Sequence, residues 1–313
     1  MTPRVCRAVA IGGGTGLPNV LDCLLRLGCE TTAVVTVADD GGSSGHLRRE
    51  IGMLPPGDAR NCLVAMADPD NPVARLFQYR FPLGEGLAGH ALGNLIIAAL
   101  ADIEGSFPRA LEDAANLLGA RGRVLPSTLD DVVLVALDVE GTRIVGQVKV
   151  AENETPIAKV CYEGPEPDVY PPVVEALAAA DLVVIGPGSL YTSILPNFLV
   201  HGVTEALRAT PAKVVYVCNV ANQRGETGGM DAADHVAALV DHGLDGVINT
   251  AVVHDTDAHP LGGGGVQPVA GGHAEVARIR GLGVEVLFAD LVDTDDPRHH
   301  SRTRLLTVLE RLV

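Results

Sequence analysis

The 313-residue sequence predicts an α/β fold of Rossmann-like type, a mostly parallel sheet with helices on both faces and an inserted β-hairpin. Three observations carry that prediction. Short apolar runs end in glycine- or acid-rich turns and lead into segments of helical period, first near residue 12 and again near residue 186. The period shortens to two in only one stretch, residues 132–150. The composition, 47% hydrophobic without tryptophan, suits a core of Val, Leu, Ala and Ile. A chain of this length buries roughly 75% of its unfolded surface, so it needs no covalent staples.

The first element is the strand Ala8-Val9-Ala10-Ile11, which runs into Gly12, Gly13, Gly14, Thr15 and Gly16. Leu17, Val20, Leu21, Leu24 and Leu25 then keep helical spacing up to the stop at Gly28. Glycines let the backbone approach a ligand, and the N–H groups and dipole of a following helix favour an anion. The turn therefore reads as a phosphate cradle, against the plainer reading of a tight strand-to-helix turn. The dinucleotide fingerprint wants glycine where Leu17 stands, and no Gly-Lys-Ser/Thr follows, so the ligand is left open.

A second strand over 32–37 ends at Ala38-Asp39-Asp40-Gly41. An acid there can hold a ribose hydroxyl, and Asp39 with Asp40 can share a divalent cation carried by a diphosphate; a solvated turn is the alternative. Asp58 reads as the cap of a helix through Leu63, Val64 and Met66, which places Arg60 and Asn61 on its first turn. Arg60 is a candidate phosphate partner or a structural arginine. His90 and Asn94, four apart at the start of the next apolar helix, are expected on one helical face. Residues 107–118 form a further helix stopped by Gly119. The hairpin over 132–150 then marks the seam of a single domain (1–313) whose halves are about 1–130 and 151–313.

The second half repeats the logic. The strand 181–185 enters Gly186, Pro187, Gly188, Ser189, Leu190, Tyr191, Thr192 and Ser193, then an apolar segment over 194–200. This reads as a second anion site, stiffened by Pro187, with Tyr191 placed to cover a base or sugar. The strand 213–217 ends at Cys218-Asn219, where polar amides suit a ligand crevice. A helix over 231–242, strands over 246–253 and 284–288 and a closing helix over 305–312 follow. His254, Asp255, Asp257 and His259 have metal-ligand chemistry, but they run into the glycines of 262–265 and read as a solvated loop.

The formal net charge of −16 argues against nucleic acid as the partner. Six scattered cysteines without a C-x-x-C pair read as buried, reduced thiols. There is no room for a signal segment before the first glycine turn, and no apolar run approaches the roughly 20 residues of a membrane span. A cytoplasmic protein is expected, with a homodimer as the default assembly.

With these stretches in view, the chain resembles the gluconeogenesis factor family, which shares a CofD-like superfamily with the 2-phospho-L-lactate transferases. The resemblance rests on Ile11-Gly-Gly-Gly-Thr-Gly-Leu17, Val37-Ala-Asp-Asp-Gly-Gly-Ser-Ser-Gly45, Leu54-Pro-Pro-Gly-Asp58 with Arg60-Asn61-Cys62, Gly89-His90 with Leu92-Gly93-Asn94, Gly186-Pro-Gly-Ser-Leu-Tyr-Thr-Ser193 and Val217-Cys-Asn219. It implies a nucleotide, expected to be a UDP-sugar, held between the 12–16 turn, the Asp39/Asp40 turn and the 186–193 turn. It also implies a role in cell shape and envelope synthesis on gluconeogenic carbon. Arg298-His299 matches an Arg-His near the family's end, which adds Arg298 to the expected ligand set, although His300 stands where an acid is commoner. Two functions follow. One is a regulator that carries no defined reaction and no certain cofactor. The other is a transferase in which Asp39 and Asp40 hold Mg²⁺ on a nucleoside diphosphate while a deazaflavin hydroxyl attacks phosphorus. The run from Gly41 to Asp58 looks more like the gluconeogenesis factors, and a nicotinamide oxidoreductase ranks last.

Overall fold

The computed structural model describes residues 5–68, 70–259 and 266–313. Its strands are β1 (Arg7–Gly12), β2 (Glu30–Val35), β3 (Arg123–Pro126), β4 (Leu134–Asp138), β5 (Arg143–Val145), β6 (Ile157–Tyr162), β7 (Leu182–Ile185), β8 (Lys213–Val217), β9 (Thr250–His254) and β10 (Glu285–Ala289). Seven form one sheet in the order β10-β9-β8-β7-β1-β2-β3, and every neighbouring pair is parallel. Sequence order runs outward in both directions from the centre. β1 and β7 are therefore adjacent strands whose chains leave to opposite sides, the place where an open α/β sheet forms its crevice.

The strands are buried on both faces, as parallel strands covered by helices must be. Val9, Ile11, Val183, Ile185, Val214 and Tyr216 join one core. Their sequence neighbours Ala8, Ala10, Leu182, Val184, Val215 and Val217 join the other. The second core is closed by α1 (Leu17–Arg26), α3 (Gly57–Met66), α4 (Pro72–Gln78), α5 (Leu92–Glu104) and α6 (Phe107–Leu118), whereas α2 (Gly42–Ile51) contributes no residue to it. In α1 the residues Leu17, Val20, Leu21, Leu24 and Leu25 are all buried, as their spacing predicts. α6 stops at Gly119, whose φ of 59° is a left-handed cap.

Residues 132–150 begin as predicted, with β4 and β5 pairing antiparallel. The returning strand is shorter than expected: Gln147 and Val148 lie on the short helix α7 (Gln147–Ala151), and β6 adds a third strand on the other edge of β4. Gly146, with φ of 101°, makes the break between strand and helix. The remaining helices are α8 (Pro171–Ala179), α9 (Val203–Ala209), α10 (Ala232–Leu239), α11 (His273–Gly281) and α12 (Arg302–Glu310). Among the described residues no helix is long and apolar enough to cross a membrane. The glycines at 262–265 lie outside the described residues.

Candidate functional site

The two glycine turns meet. They leave the carboxyl ends of the paired strands β1 and β7, so they emerge side by side. A Cβ on Gly16 would lie 2.4 Å from the carbonyl oxygen of Pro187, and one on Gly188 would lie 3.2 Å from that of Gly13. Only glycine permits this backbone-to-backbone approach. A cleft of about 100 Å³ opens along the seam, lined by Thr15, Gly16, Pro187, Gly188, Ser189 and Asn219 and also by Arg298, His299 and the buried His300. Arg298, expected from the Arg-His match that the family resemblance implies, thus lines the same cleft as both turns.

In each turn one backbone N–H is already bonded to a side chain. The N–H of Gly14 donates to Asp58 Oδ1 at 2.9 Å, and the other carboxylate oxygen crowds Gly13. Asp58 does not cap its own helix. Pro56 occupies the N-cap position, and the Asp58 side chain projects from the first turn into the neighbouring loop. Burial, reinforced by the charge of Asp39, pushes the Asp58 carboxyl up to about 7, and its Oδ2 is buried with no hydrogen-bond partner. Burial likewise raises Asp39, whose Oδ1 accepts from the Gly41 N–H at 2.9 Å. Asp40 turns away: its Oδ1 accepts from the Val148 N–H at 2.9 Å and ties the loop to α7. Asp39 is thus the aspartate of this pair whose charge acts on Asp58, while Asp40 is engaged with α7. Among the described residues no cluster of three or more His, Cys, Asp or Glu gathers as a metal site.

The second turn is held from the other side. Asn219 clamps Gly188 twice: its Oδ1 accepts from the Gly188 N–H at 3.1 Å and its Nδ2 donates to the Gly188 carbonyl at 2.7 Å. Instead of the expected α-helix, the turn enters a π-helical turn (Leu190–Ile194) and then a 3-10 helix (Leu195–Leu199). At its start Glu226, 1% exposed, accepts from the Thr192 hydroxyl at 2.5 Å and from the Tyr191 N–H at 3.3 Å. Burial pushes the Glu226 carboxyl up to about 7. The Tyr191 ring is 3% exposed and packed in the core beside His242, so it does not cover a ligand. The Thr192 hydroxyl is likewise enclosed.

A third group lies beyond Asp58. Arg60 is 5% exposed, and its Nη2 donates to Asn61 Oδ1 at 2.7 Å. Burial and the nearby charge of Arg80 lower its proton affinity. His90 and Asn94 do not share a helical face, because α5 starts at Leu92 and His90 precedes it. They meet through Ser43 instead: its Oγ lies 3.1 Å from His90 Nδ1 and accepts from Asn94 Nδ2 at 3.1 Å. His254, expected in a solvated loop, is buried at the end of β9. Its Nδ1 accepts from the Leu291 N–H at 3.2 Å and its Nε2 lies 2.9 Å from the His259 carbonyl oxygen.

The model of the family described as 2-phospho-L-lactate transferase CofD matches residues 8–292. The chain belongs to the CofD family. Within it the chain groups with proteins named gluconeogenesis factor. It is 40% identical over 290 residues to that of Listeria innocua, covering 93% of this chain and 90% of the relative. Against the Bacillus subtilis protein it is 47% identical over 246 residues, covering 79% and 78%. A Nostoc relative, 48% identical over 233 residues, is longer, and the match spans 74% of this chain but only 51% of that protein. The crystal structure of a Bacillus halodurans protein superimposes with a TM-score of 0.92 at 37% identity, covering 98% of this chain and 99% of that one.

Two residues of this candidate site were not legible as site residues. Asp58 looked like a helix cap because spacing exposes only local partners, and its carboxylate serves a loop 44 positions earlier. Glu226 sits in a polar run and serves residues 34 and 35 positions away. The signal present for both was an acid within a segment that carries glycine and amide residues.

Proposed function

We propose that this CofD-family chain is a cytoplasmic nucleotide-binding regulator of the gluconeogenesis factor type, with a UDP-sugar as ligand. The reading is carried by one observation: both glycine turns converge on a single cleft at the β1/β7 switch point. The cleft has room for a phosphate group, with Thr15, Gly16 and Ser189 along it and the Arg298 guanidinium at its mouth. The rest of the ligand extends over the outer surface beside Arg298 and His299. The family resemblance supplies the UDP-sugar and the role in envelope synthesis, and a homodimer is the assembly proposed. The Thr192 hydroxyl, which donates to the Glu226 carboxylate, is enclosed rather than presented to a ligand, in keeping with a regulator.

A second reading, a Mg²⁺-dependent transferase, is favoured by the unpartnered oxygen of Asp58 beside Asp39. Asp58 and Asp39 would hold the cation, which would supply charge neutralisation on a diphosphate. Calorimetry separates the readings. The protein should bind a UDP-sugar saturably, and Asn219→Ala, by releasing Gly188, should weaken binding about tenfold. Absence of saturable heat with UDP-sugars would end the regulator reading. A Mg²⁺-dependent product from a deazaflavin acceptor and a guanosine diphosphate donor, detected by mass spectrometry, would establish the second.

A further inference from the structure

The outer side of α5 is apolar along nearly its whole length. Gly93, Asn94, Ile97 and Ala98 are buried, which leaves Leu92, Leu95, Ile96, Ala99 and Ile103 on the opposite stripe, half-buried or exposed. Ile103 is 73% exposed. A helix at the surface of a monomer carries polar residues on that side.

Two features stand at the ends of this stripe. Before α5 the chain doubles back: the Phe81 N–H donates to the His90 carbonyl at 3.0 Å, and the Leu92 N–H to that of Tyr79 at 2.8 Å. The turn that closes this loop presents Leu83, 81% exposed, and Leu87. At the other end a groove of about 790 Å³ is lined by Ile51, Met53, Phe107 and Leu129, and by Ala99 and Asp102 of α5 itself. More than half of the large apolar side chains exposed among the described residues lie in the loop, the stripe, the groove or the adjoining α4. Such a concentration marks an interface. The charges around it are sorted by end. Arg75 and Arg80 are exposed at the loop end, where Glu85 is the one acid between residues 71 and 91. Asp102 and Glu104 are exposed at the groove end, and the last turn of α5 has no base. Among the described residues none of Arg75, Arg80, Asp102 and Glu104 takes part in an ion pair.

We propose that this strip is the interface of a two-fold homodimer, in which the Leu83–Leu87 turn of each copy enters the groove of the other and the Arg75/Arg80 end faces the Asp102/Glu104 end. The strip is complementary to itself: a protruding, basic end and a recessed, acidic end lie at opposite ends of a helix about 20 Å long. A two-fold axis across the middle of α5 lays two copies antiparallel, so that both ends are matched at once. Apolar contact supplies the affinity, and the unlike charges fix the direction. The interface gives the homodimer named above its surface and rests on no ligand in the cleft.

The test is the mass of the full chain in solution, by sedimentation equilibrium at micromolar concentration. The native chain should be a dimer. Leu83→Glu and Ile103→Glu, both at exposed positions, should each weaken it about a hundredfold, and Val139→Glu, equally exposed just past β4, should leave it intact. A chain with Arg75→Glu and Arg80→Glu, and another with Asp102→Lys and Glu104→Lys, should each be monomeric alone. Mixed in equal amounts they should pair, because the two-fold then sets unlike charges together at both ends. A native monomer would overturn the interface. A dimer that survives both Leu83→Glu and Ile103→Glu would overturn this surface and leave a homodimer standing on another face. A mixture no more dimeric than its parts would overturn the two-fold matching of the ends, since a loop merely loosened by its substitutions is not rescued by a second chain. UDP-sugar binding, read by calorimetry, stands apart from all three results.

Discussion

The two glycine turns start from neighbouring strands and end side by side, yet they are built from different parts. The first leads into a regular amphipathic helix and is held by one carboxylate, Asp58, reaching in from α3. The second leads into a π-helical turn and is held by two later segments, through Asn219 and Glu226. In both cases a backbone N–H that would greet a ligand is already bonded to a protein side chain. A glycine-rich strand-to-helix turn is thus not by itself an anion cradle. What both leave open is the seam between them, and its shape depends on how closely they approach.

Breaking the approach should have the largest effect. In Gly16→Val the new Cβ would meet the Pro187 carbonyl oxygen at 2.4 Å and its carbon at 2.8 Å, and backbone cannot swing aside as a side chain can. A loss of more than ~3 kcal/mol in chemical denaturation is expected, as for severe overpacking of a core. Gly14→Ala tests the same turn without the collision. Its φ of 65° is unfavourable for alanine, but the nearest obstacle is the movable Ser193 hydroxyl at 3.3 Å, so about 1 kcal/mol is expected. Equal losses in the two variants would show that the contact between the turns is not what holds the seam.

The carboxylate behind the second turn gives an intermediate effect with a definite sign. Glu226 titrates near 7 in the folded protein against an ordinary value of 4.5. Its folded pKa is raised, so its contribution to stability is complete below about 4.5 and declines as pH rises through 7. The full swing is roughly 3 kcal/mol at 1.36 kcal/mol per pKa unit. Glu226→Gln cannot ionise. It should be less stable than the native protein at pH 5, because Gln offers one acceptor where Thr192 and Tyr191 both donate, and it should recover most of that deficit by pH 8. Denaturation at the two pH values checks this, and a deficit that does not change would show that Glu226 is ionised throughout.

The fold was legible because parallel strands buried on both faces are nearly continuous apolar runs, and β1, β2, β7 and β8 all have that form. The turns were legible because glycine marks close approach. The partners were not. Sequence spacing relates Asp58 to its own helix and Asp40 to Asp39, whereas the fold assigns them to Gly14 and Val148. Tyr191 looked like a ligand cover because aromatic rings in loops often are, but a π-helical turn rotates it into the core. Asn219 and Arg298 lie at the cleft because strand ends and the segment before the last helix converge there, in line with the family motifs.

The smallest effect on stability, and the sharpest on the seam, belongs to Arg298. It is exposed, and its Nε and Nη2 donate to the two oxygens of Asp296, each at 2.8 Å. That local pair holds the Asp296 carboxyl well below the ordinary range. Arg298→Ala should leave the denaturation midpoint unchanged, since exposed pairs contribute little. If a phosphate occupies the seam, the same variant should weaken a UDP-sugar about tenfold and flatten the salt dependence of binding, because one cation facing the ligand is gone. Asp296→Asn gives the opposite sign: it frees the guanidinium from its neutralising partner and should tighten binding. Opposite shifts in these two variants, measured at one ionic strength, would place the ligand's negative charge on the outer side of the seam. Identical affinities in both would mean that the two turns hold the ligand without this segment.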